Sequence, residues 1–156
     1  MVVGRFLNSR YSIIKIVYGN VEKKLYGIHW IASFSGCGGR DSSGKLLIDD
    51  ADGLCDLISK GLEDIGANIF SRSTKQFEPQ GATVLVGITE SHASAHSWPE
   101  DKFMEFDFNT CNTNMDGDLL LDYIGNGIGA SKVFYSKILR YGDSDEVVER
   151  GNIVYE

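Results

Sequence analysis

The segment Thr83–Cys111 reads TVLVGITESHASAHSWPEDKFMEFDFNTC and predicts the middle of the fold. Residues 83–90 are rich in β-branched and aliphatic side chains, which is typical of a strand. Residues 92–97 alternate polar and small side chains, and Pro99 ends that element. Residues 102–111 alternate again, so one face carries Phe103, Glu105, Asp107 and Asn109 and the other carries Met104, Phe106 and Phe108. Consecutive strands of this kind favour an antiparallel sheet.

Two helices are predicted, one on each side of this segment in the chain. The first begins after Asp49 or Asp50 and ends at Gly66, a residue suited to the C-terminus of a helix. Its apolar stripe recurs at spacings of mostly three and four and comprises Leu54, Leu57, Ile58, Leu62 and Ile65. The second begins after Asp116 or Asp118, and its stripe comprises Leu119, Leu120, Tyr123, Ile124 and Ile128.

The remaining apolar runs predict further strands. They lie at residues 11–18, 25–34 and 131–141, and residues 153–155 favour a strand at the edge of the sheet. Runs of strands separated by two helices are typical of an α+β fold. We therefore expect one domain over residues 1–156, a two-layer sandwich in which two helices cover one face of a mainly antiparallel sheet.

Composition narrows the classes of partner. The net charge of −7 and the pI near 4.9 argue against nucleic-acid binding, which normally needs a basic surface. A negative field favours a cationic small molecule, although an acidic surface more often serves solubility alone. The three cysteines show no disulfide framework, and no CxxC or HExxH spacing indicates a metal site. No apolar run reaches the roughly 18 residues of a membrane span, so we expect a soluble, cytoplasmic protein.

The stretch from Glu90 to Glu100, ESHASAHSWPE, points to chemistry. It holds two of the three histidines of the chain, and its serine directly follows a carboxylate. A cysteine, Cys111, follows in the sequence FNTC. An ordinary fold does not require this combination of side chains, so the stretch indicates a catalytic or self-modifying segment.

This stretch resembles the self-cleavage segment of the S-adenosylmethionine decarboxylases, which reads E-S-H-x-[ST]-x-H-[ST]-[WY]-P-E. The resemblance covers roughly residues 26–140 and is strongest over residues 77–111. Further matching motifs occur in the expected order, and they are Gly27-Ile28-His29, Gly36-Cys37, Phe77-Glu78-Pro79-Gln80-Gly81 and Asp107-Phe108-Asn109-Thr110-Cys111.

The resemblance implies that the chain makes its own cofactor. In this family the serine hydroxyl attacks the preceding carbonyl, the amide becomes an ester, and β-elimination cuts the chain. The cut would fall between Glu90 and Ser91 and give fragments of 90 and 66 residues (156 − 90). Ser91 would become a pyruvoyl group, which forms a Schiff base with the substrate amine and acts as an electron sink.

The resemblance also assigns roles in processing. His96 matches the histidine that moves a proton during cleavage, and Thr83 stands where the family usually has a serine needed for cleavage. Ser91 and His96 are five residues apart, so an unbroken strand would point them to opposite faces. We therefore expect a bulge or turn between them if they meet. His92 shares a face with His96 and is the weaker candidate.

Three further residues are assigned to catalysis and substrate binding by the same resemblance. Cys111 matches the donor that returns a proton to the substrate α-carbon after CO₂ leaves. Glu100 matches the carboxylate that holds the ribose hydroxyls, and Phe77 matches the aromatic ring that stacks on adenine. The resemblance further implies a homodimer, because short members of the family pair to form a unit like the longer eukaryotic enzymes.

Three functions remain open at this point. The first is decarboxylation of S-adenosylmethionine for polyamine (spermidine) biosynthesis. The second is decarboxylation of arginine or ornithine, which Ala93 and Ala95 favour because larger aliphatic residues usually stand there. The third is an unprocessed homologue that binds and regulates a decarboxylase. It is disfavoured because Ser91, His96 and Cys111 are all present.

Overall fold

The computed structural model describes residues 15–18 and 21–155. Its helices are α1 (Ala51–Asp64) and α2 (Gly117–Gly127). Its strands are β1 (Lys15–Tyr18), β2 (Val21–Ser35), β3 (Ile69–Gln76), β4 (Ala82–Ile88), β5 (Ser91–Trp98), β6 (Phe103–Thr110), β7 (Lys132–Tyr141) and β8 (Asp145–Val154). The part of the predicted first strand at residues 11–14 lies outside the described residues.

The strands form an antiparallel sheet. Within the described residues the order is β3-β4-β5-β6-β2-β7-β8, and β1 pairs with the first residues of β2. Strands β4, β5 and β6 follow one another in the chain and in space, which confirms the prediction made from their alternating residues. β5 therefore lies between two partners, and both of its backbone edges are paired.

Both helices lie on the same face of the sheet, so the predicted two-layer α+β sandwich is confirmed. α1 buries Leu54, Ile58 and Leu62 completely, and burial of each such side chain stabilises the fold by about 1.5–3 kcal/mol. In α2 the prediction of Leu119 in the apolar stripe is wrong. Leu119 is 55% exposed, and Leu121 is buried in the core beside Leu120.

A polar contact also fixes α2 to the sheet. The Asp116 side chain accepts hydrogen bonds from the backbone of Asp118 and Leu119 and so begins the helix, as predicted. The Asp118 carboxylate then accepts hydrogen bonds from Trp30 Nε1 at 2.8 Å and from Lys137 Nζ at 2.9 Å. These two donors come from β2 and β7, so one carboxylate joins the helix to neighbouring strands.

The opposite face of the sheet has no helix over it in the described part of the chain. Its side chains include large apolar groups, and Ile31, Leu85 and Phe134 are 44%, 49% and 51% exposed. They come from β2, β4 and β7, and polar residues such as Ser94 and Asp107 lie between Leu85 and Ile31, so exposed apolar groups are spread across a mixed surface. We call this surface the open face.

The C-terminal strand is longer than predicted. β8 spans ten residues and pairs with β7 from Lys132–Val154 to Arg140–Asp145, although only residues 153–155 were expected to form a strand. Its charged residues are exposed, so the sequence lacks the apolar alternation that reveals a half-buried strand. Among the described residues, neither helix is long and apolar enough to cross a membrane.

Candidate active site

The turn between β4 and β5 holds Ser91 in a strained conformation. Its φ angle is +149°, in the region that favours glycine, and such a residue costs of order 1–3 kcal/mol. The carbonyl oxygen of Glu90, immediately before it, accepts a hydrogen bond from the backbone N–H of Cys111 at 2.9 Å. The peptide bond predicted to break is therefore strained on one side and polarised on the other.

The imidazole nearest to Ser91 in the same chain belongs to His92. Ser91 Oγ lies 3.1 Å from His92 Nδ1, which is hydrogen-bonding distance. His92 is exposed on the open face, as is His96, and the sequence motif contains both. The sequence predicted His92 to share a face with His96 and to be the weaker candidate of the two, and the contact with Ser91 is an addition from the structure.

A cavity of about 520 Å³ opens beside Ser91. Its lining residues come from β2, the start of β5, the end of β6 and the end of β7, and they are Tyr26, Gly27, Ser91, Asn109, Cys111, Arg140, Tyr141 and Gly142. Ser91 and Cys111 thus share one cavity wall, as their predicted roles require. We call this group the serine end of β5.

The sequence analysis did not identify Arg140, which lines the same cavity. Its Nη1 lies 3.3 Å from His29 Nδ1, and its Nε donates to Asp145 at 2.9 Å. His29 Nε2 in turn contacts the carboxylate of Asp107. Because a guanidinium can only donate, His29 Nδ1 must accept and Nε2 must carry the proton. The sequence motifs contained His29 and Asp107, and the pairing of β2 with β6 brings these two residues close together.

A second group forms at the other end of β5. Thr83 Oγ1 lies 2.9 Å from His96 Nδ1, because the two residues are direct partners across β4 and β5. Both residues line a cavity of about 340 Å³ with Phe77, Trp98 and Glu100. Four residues predicted for processing and substrate binding therefore meet here, and we call the group the histidine end of β5.

The two ends are well separated within one chain. β5 pairs residue for residue with β4 and β6 from Ser91 onward, so the expected bulge or turn between Ser91 and His96 is not present. Five residues of strand span about 17 Å. The structure thus brings Ser91 to Cys111 and brings Thr83 to His96, Phe77 and Glu100, but one chain does not bring these two groups together.

The alanines that suggested a different substrate lie away from both cavities. Ala93 and Ala95 are 1% and 0% exposed and face the helices, where they contribute to the core. The expectation that they reshape the substrate pocket is wrong, because side chains alternate along β5 and these two point to the opposite face from His92 and His96. Their small size instead allows close packing beneath the helices.

The three thiols differ in exposure. Cys37 and Cys55 are buried, and burial raises the pKa of Cys37 to about 12 and also raises the pKa of Cys55. Both thiols therefore stay protonated and behave as small apolar groups. Cys111 is exposed at the serine end, where a substrate can reach it. In the described residues no group of histidine, cysteine or acidic side chains is arranged to hold a metal ion.

The part of the chain that matches known proteins includes both ends of β5. A sequence model of the S-adenosylmethionine decarboxylase family matches residues 28–141. The S-adenosylmethionine decarboxylase proenzyme of Brevibacillus brevis is 38% identical over 103 residues, which cover 66% of this chain and 77% of that protein. The proenzyme of Picrophilus torridus is 29% identical over 118 residues, which cover 76% of this chain and 86% of that protein.

The fold comparison agrees. The crystal structure of the adenosylmethionine decarboxylase from Aquifex aeolicus is 27% identical and superposes with a TM-score of 0.60. The match covers 85% of this chain and 95% of that one. β8 lies beyond the region matched by the family model.

Proposed function

Because the chain belongs to the S-adenosylmethionine decarboxylase family, we propose that it is a proenzyme that cuts itself between Glu90 and Ser91 and then decarboxylates S-adenosylmethionine. Members of the family form their pyruvoyl group from a serine. The observation that carries the proposal is the backbone at Ser91, where φ is +149° and the preceding carbonyl accepts the Cys111 N–H. This geometry belongs to one peptide bond, the one at which the motif predicts cleavage.

The backbone hydrogen bond assists the attack of Ser91 Oγ on the Glu90 carbonyl carbon. The Cys111 N–H withdraws electron density from the carbonyl and stabilises the negative charge that develops on its oxygen. Formation of the Oγ–C bond and rupture of the C–N bond convert the amide into an ester, and the strain at Ser91 is released. In this step the Ser91 hydroxyl proton passes to the Ser91 nitrogen. Loss of the Ser91 α-proton then breaks the Cβ–Oγ bond, releases Glu90 as a carboxylate and leaves dehydroalanine at residue 91. Water hydrolyses that residue with loss of ammonia, which gives the pyruvoyl group.

After cleavage, the pyruvoyl group would supply an electron sink for the electrons left behind when CO₂ departs. The residues of this chain would bind the substrate around it. Phe77 is 46% exposed and free to stack on a flat base, and Glu100 is exposed with oxygens that accept from two ribose hydroxyls. Gln80 donates to Glu100 Oε2 at 2.9 Å and orients that carboxylate. Cys111 would return the proton to the α-carbon.

We further propose that the complete site forms between two copies of the chain. The open face exposes Ile31, Leu85 and Phe134, and burial of such a surface favours association. A two-fold axis between two open faces, running across the strands, reverses β5 in the second copy. The serine end of one protomer then lies over the histidine end of its partner. This arrangement accounts for the absence of a break in β5.

S-adenosylmethionine is favoured over arginine or ornithine as the substrate. The burial of Ala93 and Ala95 removes the observation that supported the other two amino acids. Phe77 and Glu100 lie at one cavity and suit a nucleoside, which offers a base and a diol together.

Three free cysteines, without a disulfide among them, support a cytoplasmic location.

The substrate assignment is tested by release of CO₂ from carboxyl-labelled S-adenosylmethionine, arginine and ornithine in parallel. We expect turnover of S-adenosylmethionine at least 100-fold above that of the other two, because only S-adenosylmethionine offers both the base that Phe77 suits and the diol that Glu100 suits. Phe77→Ala should raise KM for S-adenosylmethionine. Faster turnover of arginine or ornithine would contradict the assignment.

A further inference from the structure

We infer that Asn68 is a positioning residue for self-cleavage, which holds Glu90 so that Ser91 keeps its strained backbone. The inference rests on the proposed self-cleavage and adds a residue to it. The family motif does not include Asn68, which precedes the motif by 22 residues in sequence. It acts on the substrate bond only through Glu90.

Asn68 binds the cleavage segment at three points. Its side-chain Nδ2 donates to Glu90 Oε1 at 2.8 Å, and its backbone N–H donates to Glu90 Oε2 at 3.2 Å. Its carbonyl oxygen accepts from the Thr89 N–H at 2.9 Å. Asn68 therefore contacts both carboxylate oxygens of Glu90 and the backbone before it.

The position of Asn68 is fixed by the end of α1. Gly66 adopts φ +89°, and its N–H donates to the carbonyl of Glu63 at 2.9 Å. The Ala67 N–H donates to the carbonyl of Leu62 at 2.9 Å, and Ala67 itself is buried. Since this helix end is anchored in the core, Asn68 holds the turn against a rigid support.

We call the three contacts of Asn68 with Thr89 and Glu90 the clamp. The clamp opposes relaxation of the strained backbone at Ser91. A serine at φ +149° would reach an ordinary conformation by rotation of the adjoining peptide, which requires Glu90 to move. The Cys111 N–H holds the Glu90 carbonyl, and Asn68 holds the Glu90 side chain and Thr89. With both restraints present, strain is released by bond rupture, because rotation is blocked. Loss of Asn68 lets part of the strain relax before the attack.

The hydrogen bonds from Asn68 also affect the pKa of the Glu90 carboxyl group. Burial raises the pKa of Glu90, but hydrogen bonds from Asn68 and from Thr89 outweigh it and hold the pKa below its usual range. The clamp is therefore complete above the ordinary carboxyl pKa and weakens as pH falls through the lowered value. The other titratable groups beside the turn are His92 on β5 and the Cys111 thiol after β6, and Asn68 itself does not titrate.

Cleavage rates test the inference directly. Full-length chains are made in a short cell-free translation pulse, and the conversion to two fragments is followed by denaturing mass spectrometry. Asn68→Ala should slow cleavage roughly 3- to 30-fold, since it removes a hydrogen bond to a partly exposed carboxylate. Asn68→Asp, which keeps the size of the side chain but repels Glu90, should slow it at least as much. Asn126→Ala is the matched control, because Asn126 also makes one exposed hydrogen bond, to the Asp122 carbonyl at 2.9 Å.

A second measurement separates the clamp from a general loss of stability. In Ser91→Ala precursor, which cannot cleave, carboxyl NMR follows the titration of Glu90 with and without Asn68→Ala. We expect the titration midpoint to move to higher pH when Asn68 is replaced. Cleavage at the wild-type rate, or slower cleavage with an unmoved midpoint, would overturn the inference. If the wild-type chain itself never cleaves, the proposed function fails, and a moved midpoint would then show a clamp without this role.

Discussion

The two ends of β5 differ in how they hold their functional groups. At the serine end, a backbone outlier at Ser91 and a hydrogen bond from Cys111 act on one peptide bond. At the histidine end, Thr83 and His96 meet by ordinary cross-strand pairing, and the backbone is regular. The difference supports the proposal that strain is concentrated at the bond that breaks, whereas Thr83 and His96, which are proposed to assist cleavage, lie on regular strands.

Replacement of Cys111 should give the largest effect and should distinguish its side chain from its backbone. Cys111→Ala removes the thiol but keeps the N–H that donates to Glu90. We expect the decarboxylation rate of the cleaved enzyme to fall roughly 10²- to 10⁴-fold, as is typical when a proton donor is lost. Self-cleavage should slow far less, within about tenfold. Equal losses in both steps would show that the thiol, and not the backbone, serves cleavage.

Replacement of His96 tests whether the two ends come from different protomers. His96→Ala alone should slow cleavage on the order of 10²-fold, because a positioned imidazole is lost. When it is co-expressed with Ser91→Ala, mixed dimers place the intact serine end of the first variant against the intact histidine end of the second. Cleavage of the His96→Ala chain should then recover. If mixed expression gives no recovery, the arrangement between two protomers is wrong.

Removal of the Thr83 hydroxyl should slow cleavage less than replacement of His96. Thr83→Val keeps the shape of the side chain but removes the hydrogen bond to His96 Nδ1, and cleavage should slow about tenfold or less. Thr83→Ser keeps the hydroxyl and is the matched control, with a rate within about threefold of the original chain. Cleavage half-times of the two variants are measured by mass spectrometry. If Thr83→Ser cleaves slowly, the methyl group of Thr83, and not its hydroxyl, is what cleavage requires.

A change on the helix side should affect stability and leave cleavage nearly unchanged. Asp118→Ala removes the acceptor for Trp30 and Lys137, and the free energy of unfolding should fall by about 1–3 kcal/mol. Urea denaturation of the Ser91→Ala precursor, with and without this change, gives the difference. A loss of cleavage larger than twofold in Asp118→Ala would show that the two faces of the sheet are coupled.

Much of the fold was predictable because alternation and helical spacing reflect burial. Met104, Phe106 and Phe108 are buried as their alternation predicted, whereas Leu119 was misplaced because in the run of three leucines at 119–121 either end could have joined Leu120 in the stripe. The sequence motif contained residues from both ends of β5. The structure then showed that Thr83 and His96 are direct partners across β4 and β5. The strain at Ser91 and the contacts of Asn68 and Arg140 were not visible, since they depend on residues brought together from distant parts of the chain.

The most direct test of the central claim is the intact mass of the purified protein under denaturing conditions. The account predicts two fragments, of 90 and 66 residues, with a pyruvoyl group in place of Ser91 at the start of the smaller one. Ser91→Ala should remain a single chain of 156 residues. A single uncut chain in the unaltered protein, under conditions where it is folded, would contradict self-cleavage and leave the protein without an electron sink.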